Sequence, residues 1–214
     1  MLNIVDGIIH DARIKSTPIP QIAHGPLKLI DAIVVHQTDS KTGAGTLAGW
    51  RTGSRPDGAH FLIDKDGTIY QCVSLKQKCW HVGKIASRCL LEKSCSVDEK
   101  SYYATELKKD RGHFSTFVNE TDKHERKKSY PSRFPMNEDS IGIEMVGMHI
   151  SSNLYETPTM QQQDSLQWLV GELEASLHLT ASDVYRHPLI SYKNPGEAAG
   201  AQWTPKAHAG GKSQ

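Results

Sequence analysis

Short apolar runs separated by turn residues mark the early part of the chain and return after residue 139. Residues 30–36 (IDAIVVH) are apolar and β-branched, which predicts a buried strand. Residues 59–64 (AHFLID) and 68–74 (TIYQCVS) predict two more strands, with a tight hairpin turn at the Asp66-Gly67 pair between them. Residues 140–146 (SIGIEMV) predict another strand, and 183–186 (DVYR) lead into a last one. Helical spacing is clearest over 157–179, where Leu166, Leu169, Val170, Leu173 and Leu177 share a face opposite Gln, Glu and Asp. A shorter helix can open within 43–50 (GAGTLAGW). The chain before residue 30, rich in Ile and Pro, reads as an irregular wrapping arm. Residues 84–139 are highly charged (ELKKDRGH, DKHERKKSYPSR) and weakly periodic, which predicts a long insertion with one or two short helices. No internal repeat appears, and 207–214 predict a disordered tail. The fold class expected over 1–206 is α/β (α+β), a single domain with a central mixed β-sheet flanked by helices.

Composition narrows the picture. The chain has 214 residues, 37% hydrophobic and 23% charged, which suits one globular domain with a real core. Its formal net charge of +1 argues against a nucleic-acid binder that works by bulk phosphate attraction. No apolar run is long enough for a membrane span. The N-terminus lacks a basic start followed by a long apolar stretch, so no Sec signal is expected. Cys72, Cys79, Cys89 and Cys95 form no CxxC pair. They are either reduced, buried thiols or partners in one or two disulfides, with Cys89 to Cys95 closing a short loop in an oxidising compartment. Histidine is abundant, at 11 residues, which raises a metal or acid–base question.

Three polar residues stand at or inside apolar strand segments. His36 ends IVVH, Glu144 is embedded in IGIEMVG, and His187 follows DVYR. A strand end is a rigid platform that can present an imidazole to a cleft. A carboxylate inside an apolar strand is costly unless it is paired or meets a cation, unless the strand is an edge with that face in solvent. Beyond His187, the Pro-Gly loop carries Lys193 and Glu197, a cation and a carboxylate that could complete a metal site and stabilise an oxyanion.

The motifs IVVHQT, GAHFLIDKDGTIYQCVSL, CWHVGK, SIGIEMVG, and YRHP with KNPG occur in that order. In this the chain resembles the zinc-dependent N-acetylmuramoyl-L-alanine amidases of the amidase type 2 family, which includes peptidoglycan-recognition-protein folds. The resemblance covers about 30–83 and 140–203, and 84–139 has no recognised counterpart. It implies a Zn²⁺ cofactor and a peptidoglycan substrate. It also implies that His36 and His187 are zinc ligands, that Glu144 deprotonates the attacking water, and that Lys193 is the cation beside the oxyanion. His60, Trp80 and His81 would line the cleft near the substrate. Phage members carry a Tyr where Ala59 stands here, which leaves the catalytic role to Glu144 alone. The family's third ligand is usually an Asp or Cys directly before Pro, where this chain has Asn194, and the loop is one residue short. A neutral amide is a poor zinc ligand. The expected third ligand is therefore Glu197, with Asn194 the alternative.

Such an amidase acts on the cell wall. The expectation is a chain made in the cytoplasm and acting in the periplasm, as an antibacterial effector delivered by a type VI secretion system and countered by a cognate immunity protein. A cytoplasmic muropeptide-recycling amidase, a phage endolysin and a zinc-free module that only binds peptidoglycan fragments are the alternatives.

Overall fold

The computed structural model describes residues 1–54, 57–110 and 114–203, so the predicted tail at 207–214 lies outside the described residues. Its centre is a six-stranded sheet built on β4 (Ala32–Gln37) and β7 (Ser140–Met145), which pair in parallel. On one side β4 pairs in parallel with β10 (Val184–Arg186). On the other side β7 pairs in parallel with β5 (Phe61–Ile63), which turns back antiparallel into β6 (Ile69–Gln71). With β3 (Ile14–Ser16) beside β6, the order β10-β4-β7-β5-β6-β3 makes the sheet mixed, as the sequence predicts. The hairpin between β5 and β6 closes at the expected position. The Gly67 N–H bonds the Asp64 carbonyl, and Gly67 adopts φ 83°, a conformation that glycine reaches without steric cost.

Side-chain alternation decides which face each strand residue serves. Ile33 and Val35 of β4, with Ile141, Ile143 and Met145 of β7, pack under α5 (Met160–Leu177) through Leu166, Leu169, Val170 and Leu173. The α5 stripe is the one its periodicity predicts, and the helix starts at a capping box between Thr159 and Gln162. The opposite face of β4 carries Ala32 and Val34, packed on Val82, Ile85, Phe134 and Met136. Farther along, Leu62 packs with Leu47 of α1 (Gly43–Thr52), Ile19 and Ile22.

Two segments are more ordered than the sequence suggests. The arm forms a hairpin of β1 (Ile4–Val5) and β2 (Ile8–Ile9), then β3 (Ile14–Ser16), which joins the main sheet parallel to β6. Its strands are two or three residues long, too short to show alternation. Among its described residues the insertion holds three helices rather than one or two: α2 (Arg88–Leu91), α3 (Val97–Lys109) and α4 (Phe114–Glu125). Among the described residues, the apolar cluster that joins them is Cys89, Cys95, Tyr103 and Phe117 with Tyr102 packed against it, too small to print a helical stripe. Local signals support α3 instead. Ser96 caps its start, Asp98 and Glu99 occupy the first turn, and Lys108 and Lys109 the last.

Cys89 and Cys95 are disulfide-bonded, and Cys72 and Cys79 are free and buried. The bond closes a loop between residues six apart, which in the chain-entropy view contributes about 2 kcal/mol. Replacing both cysteines with serine should therefore lower Tm by about 4–8 °C in a thermal melt. An unchanged Tm would show that the loop is held by its other contacts.

Candidate metal centre and catalytic cleft

Residue parity carries over from the core to the site. His36 follows Ala32 and Val34 on one face of β4, and Glu144 follows Ser140 and Gly142 on the same face of β7. The register sets His36 directly opposite Glu144, near the C-terminal ends of two parallel strands. Open parallel sheets place their binding crevices at such ends. His187 follows β10 immediately and opens the short helix α6 (His187–Ile190).

Three side chains converge there. His36 Nδ1 and His187 Nδ1 are 2.9 Å apart. One Glu197 carboxylate oxygen lies 2.9 Å from His187 Nδ1 and 3.3 Å from His36 Nδ1. All three residues are buried, and their donor atoms lie within 4.8 Å of one another. Burial first, and the neighbouring His187 second, push His36 down to about 4, so its ring is neutral at physiological pH. Burial works against the Glu197 carboxylate, but its bonds to His187 and His36 outweigh this and hold it well below the usual range. Two imidazoles and a carboxylate are the donor chemistry that zinc accepts in a site with an open coordination position. The residues present therefore fit the ion.

Asn194 takes no part in this cluster. Its amide nitrogen donates to the Ser152 carbonyl at 2.6 Å and sits 2.9 Å from His149 Nε2, while its oxygen accepts the Gly196 N–H at 2.9 Å. It ties the Pro-Gly loop to the hairpin of β8 (His149–Ser151) and β9 (Leu154–Tyr155). After Glu197, Ala198 adopts φ 53°, a left-handed conformation that is costly for alanine and turns the chain sharply at the cluster.

The cluster opens into a cleft of about 720 Å³. Glu144, Lys193, Trp80 and His81 line it together with the three converging residues. Glu144 Oε2 is buried and has no hydrogen-bond partner among the described residues. Burial, then the negative charge of Glu197, raises its carboxyl well above the ordinary range, with Lys193 acting in the opposite direction. Trp80 is 44% exposed at the cleft and stacks on the His24 ring at 3.8 Å between centroids. Such an exposed, supported ring can pack against a sugar face. Asn137, Lys84, Arg126 and Trp50 also line the cleft, and nothing in their local pattern singles them out. The first three sit inside the charged insertion, where one polar residue looks like the next.

His60 is placed elsewhere and does not line the cleft. It is fully buried, with Nε2 donating to the Gln77 carbonyl at 2.8 Å and Nδ1 accepting the Gly142 N–H at 3.0 Å. Both nitrogens serve the scaffold, so the HF pair of the motif reflects packing at this position. Burial pushes His60 down to about 4. The unfolded chain takes up a proton here near 6.5, so it binds more protons than the folded chain between pH 6.5 and 4. Stability is then fully present above that window and falls as pH drops through it, by on the order of 3 kcal/mol from this residue. His60→Leu should lose about 2 kcal/mol at pH 7 from two broken bonds, yet lose less than wild type between pH 7 and 4. Urea melts at both pH values measure this, and a variant with the wild-type acid loss would refute it.

Residues 26–207 match the family described as N-acetylmuramoyl-L-alanine amidase (Amidase_2). The chain belongs to this amidase family. No curated protein sequence matches it. Among solved structures, a selenomethionine derivative of AmpD superposes with a TM-score of 0.52 at 20% identity, covering 88% of each chain. PlyL gives 0.51 at 13% identity over 86% of this chain and 85% of its own. The catalytic domain of XlyA gives 0.50 at 18% identity, over 84% and 87%. At these identities the likeness speaks for the fold, a mixed sheet flanked by helices. Among the described residues, no helix is long and apolar enough to cross a membrane.

Proposed function

We propose that the chain hydrolyses the amide bond between the lactyl group of N-acetylmuramic acid and L-alanine in peptidoglycan, as a zinc enzyme. The observation that carries this reading is the convergence of His36 Nδ1, His187 Nδ1 and a Glu197 oxygen in one cleft with Glu144, whose buried Oε2 has no partner among the described residues. Those three residues would hold the ion. When bound, zinc supplies Lewis-acid polarisation of a carbonyl and lowers the pKa of water from 15.7 to about 7. Glu144 accepts the proton of the attacking water at Oε2, the oxygen left free by the fold. It then returns that proton to the departing amine of L-alanine. The Lys193 ammonium, on the cleft wall, faces the negative charge that develops on the carbonyl oxygen. Trp80 supplies an exposed ring for the glycan.

The site of action in this reading is the periplasm of a target cell, with the chain serving as an antibacterial effector countered by an immunity protein. The Cys89–Cys95 disulfide supports an oxidising destination. Expression in the periplasm of a susceptible bacterium should cause lysis. Survival there, with efficient cleavage of soluble muropeptides, would favour the recycling alternative. To separate the enzyme from a zinc-free binding module, zinc is measured per chain and a chelator is added during a cell-wall turbidity assay. The enzyme predicts stoichiometric zinc and clearing that the chelator stops. A binding module predicts neither.

A further inference from the structure

Each of the two converging imidazoles has a second ring nitrogen, and both of these meet the same short stretch of chain. His187 Nε2 lies 2.8 Å from the Val82 carbonyl oxygen. A carbonyl can only accept, so His187 donates to it from Nε2. His36 Nε2 lies 3.0 Å from His81 Nδ1. The far nitrogen of His81 faces the Ser140 carbonyl at 3.4 Å and the Ser140 hydroxyl at 3.5 Å. That hydroxyl gives its own proton to the Met136 carbonyl at 2.5 Å, so both groups present lone pairs to His81 Nε2. His81 therefore carries its proton on Nε2 and accepts from His36 at Nδ1. His36 in turn donates from Nε2, which turns its Nδ1 toward Glu197.

The stretch is itself pinned. The backbone N–H groups of His81 and Val82 both donate to Asn137 Oδ1, at 3.0 and 2.9 Å. The His81 ring approaches β7 closely at residue 142, where glycine leaves the space. A Cβ there would sit 2.9 Å from His81 Cγ and Nδ1. Outer partners of this kind fix the tautomer and orientation of ligating histidines in metal sites.

We propose that His81 and the Val82 carbonyl, held together by Asn137, form one positioning layer that takes an N–H from Nε2 of both His36 and His187 and so turns both Nδ1 atoms toward Glu197, where the ion would sit. This inference rests on the zinc reading above. It makes His81 a positioning residue and gives Asn137, which touches neither ligand, an effect on both.

The test uses the full-length protein and two readouts other than activity. Long-range proton–nitrogen correlation of the histidine rings in metal-free protein reports which nitrogen carries the proton. Competition with a chelating dye reports zinc affinity. Wild type should show Nε2–H for both His36 and His187. His81→Ala should weaken zinc about 10–100-fold and mix the His36 tautomers. His81→Gln, whose carbonyl oxygen can accept from His36 Nε2, should recover most of the loss, and Asn137→Ala should weaken zinc while disturbing both rings. Tight wild-type binding that His81→Ala and Asn137→Ala leave unchanged would overturn this inference alone. So would an Nε2 that carries no proton at either ring in the wild type, a result that needs no variant to fold. A wild type that takes up no zinc would overturn the metal reading and this inference with it.

Discussion

Glu144→Gln is expected to slow peptidoglycan hydrolysis by ~10²–10⁴ while leaving zinc at one per chain. The substitution keeps the shape of the side chain and removes only its capacity to take a proton. Glu144 stands directly across β4 and β7 from His36, on the face that opens to the cleft, yet it belongs to neither pairing of the metal cluster. Its Oε2 has no partner among the described residues, and an orphaned buried oxygen is costly to maintain unless something in the working site uses it. The loss should appear in kcat rather than in KM, because the proton moves only in the transition state. Turnover of purified sacculi, measured beside zinc content, decides the matter. A variant that clears sacculi at the wild-type rate would remove Glu144 from the chemistry.

The second large effect separates two residues of one loop. Glu197→Ala should release zinc, weakening its binding by more than ~10²-fold, since outer partners alone are worth about 10–100-fold. Activity should fall with it. Asn194→Ala should keep zinc at one per chain and lose only part of the activity through a looser loop. The reason lies in where each side chain is engaged. Glu197 lies between two imidazole nitrogens, whereas both ends of the Asn194 amide are engaged with Ser152, His149 and Gly196. Equilibrium dialysis against zinc distinguishes the pair. Zinc lost on replacing Asn194 and kept on replacing Glu197 would exchange their roles.

Much of the scaffold was legible because its strands are buried on both faces. A run such as IDAIVVH has no reading other than a core strand, and the apolar stripe of α5 marked its own packing face. The polar residues inside those strands were legible for the same reason. His36 and Glu144 stand out only against apolar neighbours, and the register then sets them opposite each other. The insertion was read less well, since α3 and α4 share a small apolar cluster and show charge on most faces. His60 stood in a motif as conspicuous as that of His81, and nothing local distinguishes a ring that braces the Gly142 and Gln77 backbone from one that faces a cleft. Asn137 could not be found from sequence at all. Its role comes from two backbone N–H groups more than fifty positions earlier in the chain, a relation that only folding creates.

The most direct test is mass spectrometry of purified sacculi digested by the zinc-loaded chain. Cleavage as proposed releases stem peptides with a free L-alanine amine and leaves muramic acid with a free lactyl carboxylate. Intact muramoyl–peptide linkages after prolonged incubation, with zinc bound at one per chain, would contradict it.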